Sequence, residues 1–243
     1  RSGCDWSSDV CSSDLDGSQT LNEDAVNEAR THFPEPDRRP VAESAIVAYE
    51  KLRQENRAFA RFVTNNVMDH KVPGYKAVTL SLKRREHAPG DVTADQMDAV
   101  ADLAETFGFG ELRVTHEQNL VLSDVPVDEI EALWQQLEAL SMANPTVGTL
   151  NDIICCPGGD YCSLANAVSI PIAQAIQERF DDLDYLYDLG PIDLNISGCM
   201  NACGHHHVGN IGILGVDKKG EEYYQISLRS EERRVGKECR SRW

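Results

Sequence analysis

The sequence predicts an α+β chain in two successive units, and three observations carry that prediction. Apolar residues recur at helical spacing in some stretches and alternate with polar ones in others. Between about residues 72 and 142 these stretches follow the order β-α-β-β-α, which is that of a ferredoxin-like unit. From Gly148 onward, helix and strand patterns surround two tight groups of cysteines. The 243 residues suffice for one or two domains with a sizeable core. Hydrophobic residues make up 41% and charged residues 26%, an ordinary globular balance. No apolar run approaches bilayer-spanning length. The net charge of −17 argues against nucleic acid or an anionic membrane as a main partner, since both select basic surfaces.

Both ends depart from this picture. Residues 1–15 (RSGCDWSSDVCSSDL) begin without Met and lack the apolar core of a signal peptide. Residues 229–243 (RSEERRVGKECRSRW) are a sudden basic run in an acidic chain. Read back into codons, 5–15 and 229–243 resemble sequencing-adapter DNA, so 1–15 and 229–243 are expected to be adapter-derived. Cys4, Cys11 and Cys239 leave the argument with them. Residues 16–228 are then an internal gene fragment with a net charge of −18.

The elements follow in order. Residues 16–42 are polar and contain prolines (HFPEPDRRP), which predicts loop or linker. Ile46, Tyr49, Leu52, Phe59, Phe62 and Val63 form one helical stripe across 43–66, so 16–71 is read as linker plus helix. Val78, Leu80 and Leu82 alternate with Thr79 and Ser81, a half-buried strand. Thr93 and Gln96 form a capping box before Met97, Val100, Leu103, Ala104 and Phe107, and Gly108 stops that helix. ELRVT and NLVLSDV are two strands flanking His116–Gln118. A further helix carries Ile130, Leu133, Trp134, Leu137 and Leu140 on one face. In the second unit, 148–228, Leu164, Val168, Ile172 and Ile176 predict a helix that Pro171 should bend. Strands are expected around Ile192–Ile196, Val208–Gly215 and Tyr223–Leu228.

The chemistry lies in CCPGGDYCSLANA and SGCMNACGHHHVGNIG. Five residues separate Cys156 from Cys162, and three separate Cys199 from Cys203. Two thiolate pairs brought together supply four ligands. Zinc favours short knuckles; the second pair fits one and the first does not. Disulfides would need an oxidising compartment, and nothing signals export, so a cytoplasmic chain is expected. An iron–sulfur cluster needs four thiolates on loops whose backbone N–H groups turn toward sulfur. Gly158, Gly159, Gly198 and Gly204 allow that approach. Cys162 is placed at a helix start, where the dipole favours an anionic thiolate. The spacing favours a cluster and leaves zinc and disulfides open.

C-x5-C followed by G-C-x-N-x-C-G resembles the siroheme and iron–sulfur motif of the assimilatory sulfite and nitrite reductases. LRVTHEQNLVLSDVP looks like the ferredoxin-like half-domain of the same family. The resemblance covers most of residues 60–228 and implies the C-terminal half of such an enzyme: a ferredoxin-like half-domain at 72–142, then a truncated α/β siroheme- and iron–sulfur-binding domain at 148–228. It implies that Cys156, Cys162, Cys199 and Cys203 ligate a 4Fe–4S cluster and that Cys203 also bridges to siroheme iron. Asn201 would lie against the macrocycle, and Arg113, Thr115, Gln118 and Asn119 match the polar motif that touches siroheme. The activity implied is six-electron reduction of sulfite to sulfide, or nitrite to ammonia, with ferredoxin or a flavoprotein as electron donor. The basic groups that bind the substrate anion belong to the half not represented here, so the chain by itself is expected to be inactive, with an exposed apolar sheet face. A rival reading is an electron-transfer or structural zinc-binding module without siroheme, which would need neither LRVTHEQN nor Asn201.

Other residues have plainer readings. Cys155 is expected to be a packed thiol beside the first ligand. His205, His206 and His207 are assigned a loop role. Lys83, Arg84 and Arg85 are read as a solvated strand end. Arg113 could simply pair with Glu111 or Glu117.

Overall fold

A computed structural model describes residues 21–32, 35–228 and the backbone of 239–241. The chain separates into two compact units, 1–39 and 40–243. The first contains helix α1 (Glu23–Thr31), where composition alone predicts loop. Asn22 caps it by accepting from the Ala25 N–H at 2.8 Å, and Glu23 and Asp24 complement the dipole of its first turn. The helix buries no residue, so its ends rather than an apolar face specify it.

The second unit opens with α2 (Glu43–Glu55) and α3 (Arg57–Asn66) in place of the single helix expected over 43–66. The break falls at Asn56, whose backbone is extended and whose side chain accepts from the Ala58 and Phe59 N–H groups. An Asn in that geometry starts a new helix rather than continuing the old one. Phe59, Phe62 and Val63 then face inward from α3.

Strands β1 (Val67–Asp69), β2 (Tyr75–Leu80), β3 (Arg113–Val114) and β4 (Leu120–Pro126) form an antiparallel sheet in the order β1-β2-β4-β3. Helix α4 (Ala94–Phe107) joins β2 to β3, and α5 (Ile130–Ala139) follows β4. The expected β-α-β-β-α order is therefore present, with a short extra strand ahead of it. The Thr93–Gln96 capping box forms in both directions, and Gly108 ends α4. Val78, Leu80 and Leu122 from the sheet meet Phe59 and Phe62 from α3, Val100 and Leu103 from α4, and Ile130, Leu133 and Leu137 from α5. Trp134 packs edge-on against Phe59 with ring centres 5.3 Å apart.

The other face of this sheet differs from expectation. It was expected to be apolar and exposed, but it presents Thr79, Ser81 and Ser123, all buried. The 147–154 segment and the stretch around Asn195 cover part of it, enclosing a cleft that Thr79 and Val121 share with Val147, Asp152 and Ile154. The polar side chains that alternate along β2 lie where a second layer contacts the sheet.

The second sheet contains β5 (Ile154–Cys155), β6 (Leu194–Ser197), β7 (Ile211–Lys218), β8 (Glu221–Leu228) and β9 (Cys239–Ser241), in that order. β5, β6 and β7 run parallel; β8 and β9 are antiparallel additions. Helices α6 (Ile170–Arg179) and α7 (Leu183–Leu189) lie between β5 and β6 in the chain. Leu150, Ile153, Ala173, Leu186, Ile196 and Ile213 form the core here. Pro171 does not bend a helix, because α6 starts beside it and Pro is well suited to a first turn, where its missing N–H costs no bond. Leu164 and Val168 consequently lie in the preceding loop, and Leu164 is exposed. Of the two end segments read as adapter-derived, only the backbone of 239–241 is described, paired with Ile226–Leu228; the remainder, with Cys4 and Cys11, lies outside the described residues. No helix among the described residues is long and apolar enough to cross a membrane.

Candidate functional site

Two loops leave the C-terminal ends of neighbouring parallel strands, the edge at which open α/β sheets gather ligand-binding groups. The loop after β5 carries Cys156 and Cys162. The loop after β6 runs from Gly198 to Asn210 and carries Cys199, Asn201 and Cys203. The two are locked backbone to backbone: the Asn166 and Ala167 N–H groups both donate to the Gly198 carbonyl, and the Cys156 N–H donates to the Ile196 carbonyl at 3.1 Å. Gly198 has no room for a side chain. A Cβ there would stand 2.7 Å from both the Ala167 oxygen and the Gly158 Cα. The glycines around the cysteines thus let one loop lie directly on the other.

All five described cysteines are free thiols. Cys156 and Cys199 are buried, Cys162 is half-buried and Cys203 is exposed. The Gly198 N–H donates to the Cys156 sulfur at 3.1 Å, and the Ser169 hydroxyl lies 3.7 Å from the same sulfur. Cys162 is not at a helix start, as the sequence suggested; it sits in a turn, its N–H donating to the Gly158 carbonyl, eight residues before α6. The loop must first close the Gly158–Val168 bridge before a helix can begin. Among the described residues no three His, Cys, Asp or Glu side chains are gathered closely enough to hold a metal ion. The structure brings the two cysteine loops together but not the four sulfurs into a ligand shell.

Cys155 is a packed thiol, as expected. Burial pushes its thiol up to about 12, which disfavours the thiolate. His205, His206 and His207 lie in the β6–β7 loop, and the His205 carbonyl accepts from the Asn195 amide. They serve as loop residues there.

The polar motif on the first sheet divides into two groups. Arg113 is exposed and paired with Glu111 at 2.5 Å, the plain reading allowed from sequence. Thr115 is half-buried and its hydroxyl accepts from the Asn119 N–H. Gln118, with φ of 60°, turns its amide onto the backbone of Cys155: it donates to the Cys155 carbonyl at 2.8 Å and accepts from the Cys155 N–H at 2.9 Å. Asn119 is buried, accepts from the Leu82 N–H and donates to Asp152. The side-chain amides of Gln118 and Asn119 are therefore engaged inside the protein.

Lys83 overturns its sequence reading. It is 5% exposed rather than solvated, and its ammonium donates to the Glu117 carbonyl at 2.6 Å. Burial pulls its pKa down to about 8, against the attraction of Asp152, Cys155 and Glu117. Burial likewise raises the Asp152 carboxyl, which Lys83, the Gly148 N–H and Asn119 partly offset. Lys83 continues the polar face of Thr79 and Ser81 by alternation. Nothing in the sequence shows that a second layer covers that face, so Lys83 and Asp152 were missed. Arg85, by contrast, is exposed and pairs with Glu178 at the end of α6 and with Asp181 just after it.

Two clefts adjoin the motif. One, of about 260 Å³, is lined by Thr79, Thr115, Glu117, Asp152, Asp193 and Asn195. The other, of about 330 Å³, is mainly apolar, with Leu82, Val92, Met97, Leu112 and Val114 beside Thr115 and Gln118. Neither lining includes a lysine or arginine.

The fold is thus an α+β one in which free thiols lie on loops that follow parallel strands, beside a ferredoxin-like half-domain. Residues 71–140 match the family model of the nitrite/sulfite reductase ferredoxin-like half domain. The chain is 35% identical over 138 residues to a chloroplastic ferredoxin–nitrite reductase of Arabidopsis thaliana, covering 56% of this chain and 23% of that protein. It is 33% identical over 130 residues to ferredoxin sulfite reductase 2 of Mycolicibacterium paratuberculosis, covering 52% and 23%. The solved structure of Mycobacterium tuberculosis NirA superposes with a TM-score of 0.54 at 26% identity, covering 80% of this chain and 32% of that one. Over residues 71–140 the chain is similar to the nitrite/sulfite reductases, and it spans about a quarter of the length of these curated relatives.

Proposed function

We propose that residues 71–228 form the cluster-holding part of a siroheme- and iron–sulfur-dependent reductase that takes sulfite to sulfide, or nitrite to ammonia, with ferredoxin or a flavoprotein as donor. The observation that carries this reading is the contact between the two cysteine loops, in which the Gly198 N–H already donates to the Cys156 sulfur. Amide donors to sulfur are characteristic of cluster ligands. Four thiols on loops that touch are the donor set of a 4Fe–4S cluster, and Cys156, Cys162, Cys199 and Cys203 would hold it. When bound, the cofactor pair would supply electrons to an anion at an open iron position. Cys203, exposed on the second loop, would be the thiol that also meets siroheme.

This chain's fit to siroheme is narrower. Asn201, Cys203, Thr115 and Arg113 remain available to it; Gln118 and Asn119 would act behind it, holding the cysteine strand. A carboxylate-rich macrocycle needs cations, and the neighbouring clefts contribute none, so most of them would come from the remainder of the enzyme. The nitrite and sulfite reductases among the relatives make either anion a suitable substrate class.

The test is a full-length reductase carrying these residues, purified without added metal. A siroheme spectrum, acid-labile sulfide, and oxidation of reduced ferredoxin dependent on sulfite or nitrite are expected. The anion giving the higher kcat/KM decides between the two substrates. A colourless protein that binds zinc in place of iron would replace this reading with a structural zinc module.

A further inference from the structure

The connection between the two sheets runs through a chain of buried polar contacts that the proposed chemistry does not use. It begins at Lys83, just beyond β2, whose ammonium donates to the Glu117 carbonyl at 2.6 Å. That carbonyl precedes Gln118, which must hold a left-handed backbone to aim its amide at Cys155. A non-glycine residue in that region is strained, and it persists only where its surroundings fix it. Gln118 then makes both hydrogen bonds a neighbouring strand would make to Cys155, substituting for a missing edge partner of the two-residue β5. A parallel route runs from the Leu82 N–H through Asn119 to Asp152, whose second oxygen accepts from the Gly148 N–H at 3.0 Å.

We propose that Lys83 is a positioning residue: its buried ammonium fixes the 115–119 turn, the turn holds Gln118 against the Cys155 backbone, and Cys156 is thereby set in place. The consequence for a cluster rests on the proposed function, because it matters only if Cys156 is a ligand. A lysine suits this position better than a neutral donor. Its reach is long, its head carries three donors, and its charge lies near Asp152, Cys155 and Glu117. An anionic cluster beside it would be easier to reduce than one facing a neutral side chain, since the added electron meets a positive neighbour.

The test starts in the 243-residue chain without any cofactor, by amide hydrogen exchange at Cys155, with Val78 and Leu122 as reporters of the folded sheet. Lys83→Met should speed exchange at Cys155 at least tenfold while Val78 and Leu122 stay protected. Gln118→Ala should do at least as much, and Lys83→Met added to Gln118→Ala should add nothing further. An unchanged Cys155 rate in Lys83→Met, or additive effects in the double variant, overturns the proposal. If Lys83→Met loses protection throughout, Lys83→Arg decides. Protection at Cys155 kept by the new donor sustains the role; protection lost at Cys155 alone refutes it. In the loaded full-length enzyme, Lys83→Met should lower the cluster's reduction potential and Lys83→Arg should not. An apo chain that behaves as stated beside a full-length protein without iron would break the functional reading and leave the positioning role intact.

Discussion

The two sheets of residues 67–228 achieve order by different means. The first is an antiparallel sheet with one deeply apolar face, on which α3, α4 and α5 pack Phe59, Leu103 and Leu133. The second has two short parallel strands, β5 and β6, beside the longer β7, a smaller core, and two long loops held by backbone bonds and glycine contacts. In the first, side-chain burial fixes the backbone. In the second, the backbone of one loop fixes the other, and the cysteines go where the backbone takes them. A scaffold of the first kind tolerates change on its surface; loops of the second kind fail when a single atom is added where backbones meet.

The largest expected effect breaks the first sheet. Phe59 is fully buried between Tyr49 and Trp134, so Phe59→Ala should cost about 3–5 kcal/mol in denaturant unfolding. Next comes the boundary between the sheets. In the unfolded chain Lys83 keeps its proton to about pH 10.5; buried, it releases it near 8. Burying the charge therefore weakens the fold below about pH 8, and the weakening is relieved as pH rises to about 10.5. Cys155, held up to about 12, works the other way above about pH 9, and the Lys83 charge partly offsets its rise, so losing that charge makes the Cys155 effect, if anything, larger in the variant. The stability difference between wild type and Lys83→Met should accordingly shift in favour of wild type by on the order of 3 kcal/mol between pH 7.5 and 10.5. A difference that is flat with pH would show that Lys83 is not buried charged.

Gly198→Ala tests the second sheet. Its Cβ would meet backbone on two sides, so about 1–3 kcal/mol of strain is expected, with faster alkylation of Cys156 and no change in exchange at Val78. If Gly198→Ala instead melts both sheets together, the distinction between them is wrong. The smallest effect belongs to Arg113→Ala. An exposed ion pair with Glu111 contributes little, so stability should stay within about 0.5 kcal/mol of wild type.

How much of this could be read in advance follows the same division. Apolar periodicity placed α4, β4 and α5, and the Thr93–Gln96 capping box and Gly108 marked the ends of α4, because those signals are local. The break at Asn56 was available as a capping residue inside a helical stripe but was overridden by the stripe. In the second unit, β5 is two residues long and α7 is seven, too short for periodicity to register. Pro171 misled because its position relative to the helix start depends on the Gly158–Val168 bridge, a contact between residues ten apart. For the site, the cysteine spacing carried the loops, while Lys83 and Asp152 were hidden because their burial is created by the other sheet. Gln118 and Asn119 were marked as important by the resemblance to the family, but the structure puts their amides on Cys155 and Asp152 rather than outward.

The central claim is that the ends of β5 and β6 present four specific thiols, with Cys155 a packed neighbour. It is tested most directly by measuring iron and acid-labile sulfide in a full-length reductase carrying Cys155→Ser or Cys156→Ser. The account predicts wild-type iron and sulfide in Cys155→Ser and loss of the cluster in Cys156→Ser. A cluster lost from Cys155→Ser and retained in Cys156→Ser would contradict it, placing the ligand one residue earlier and leaving the Gly198 N–H bonded to a sulfur that binds nothing.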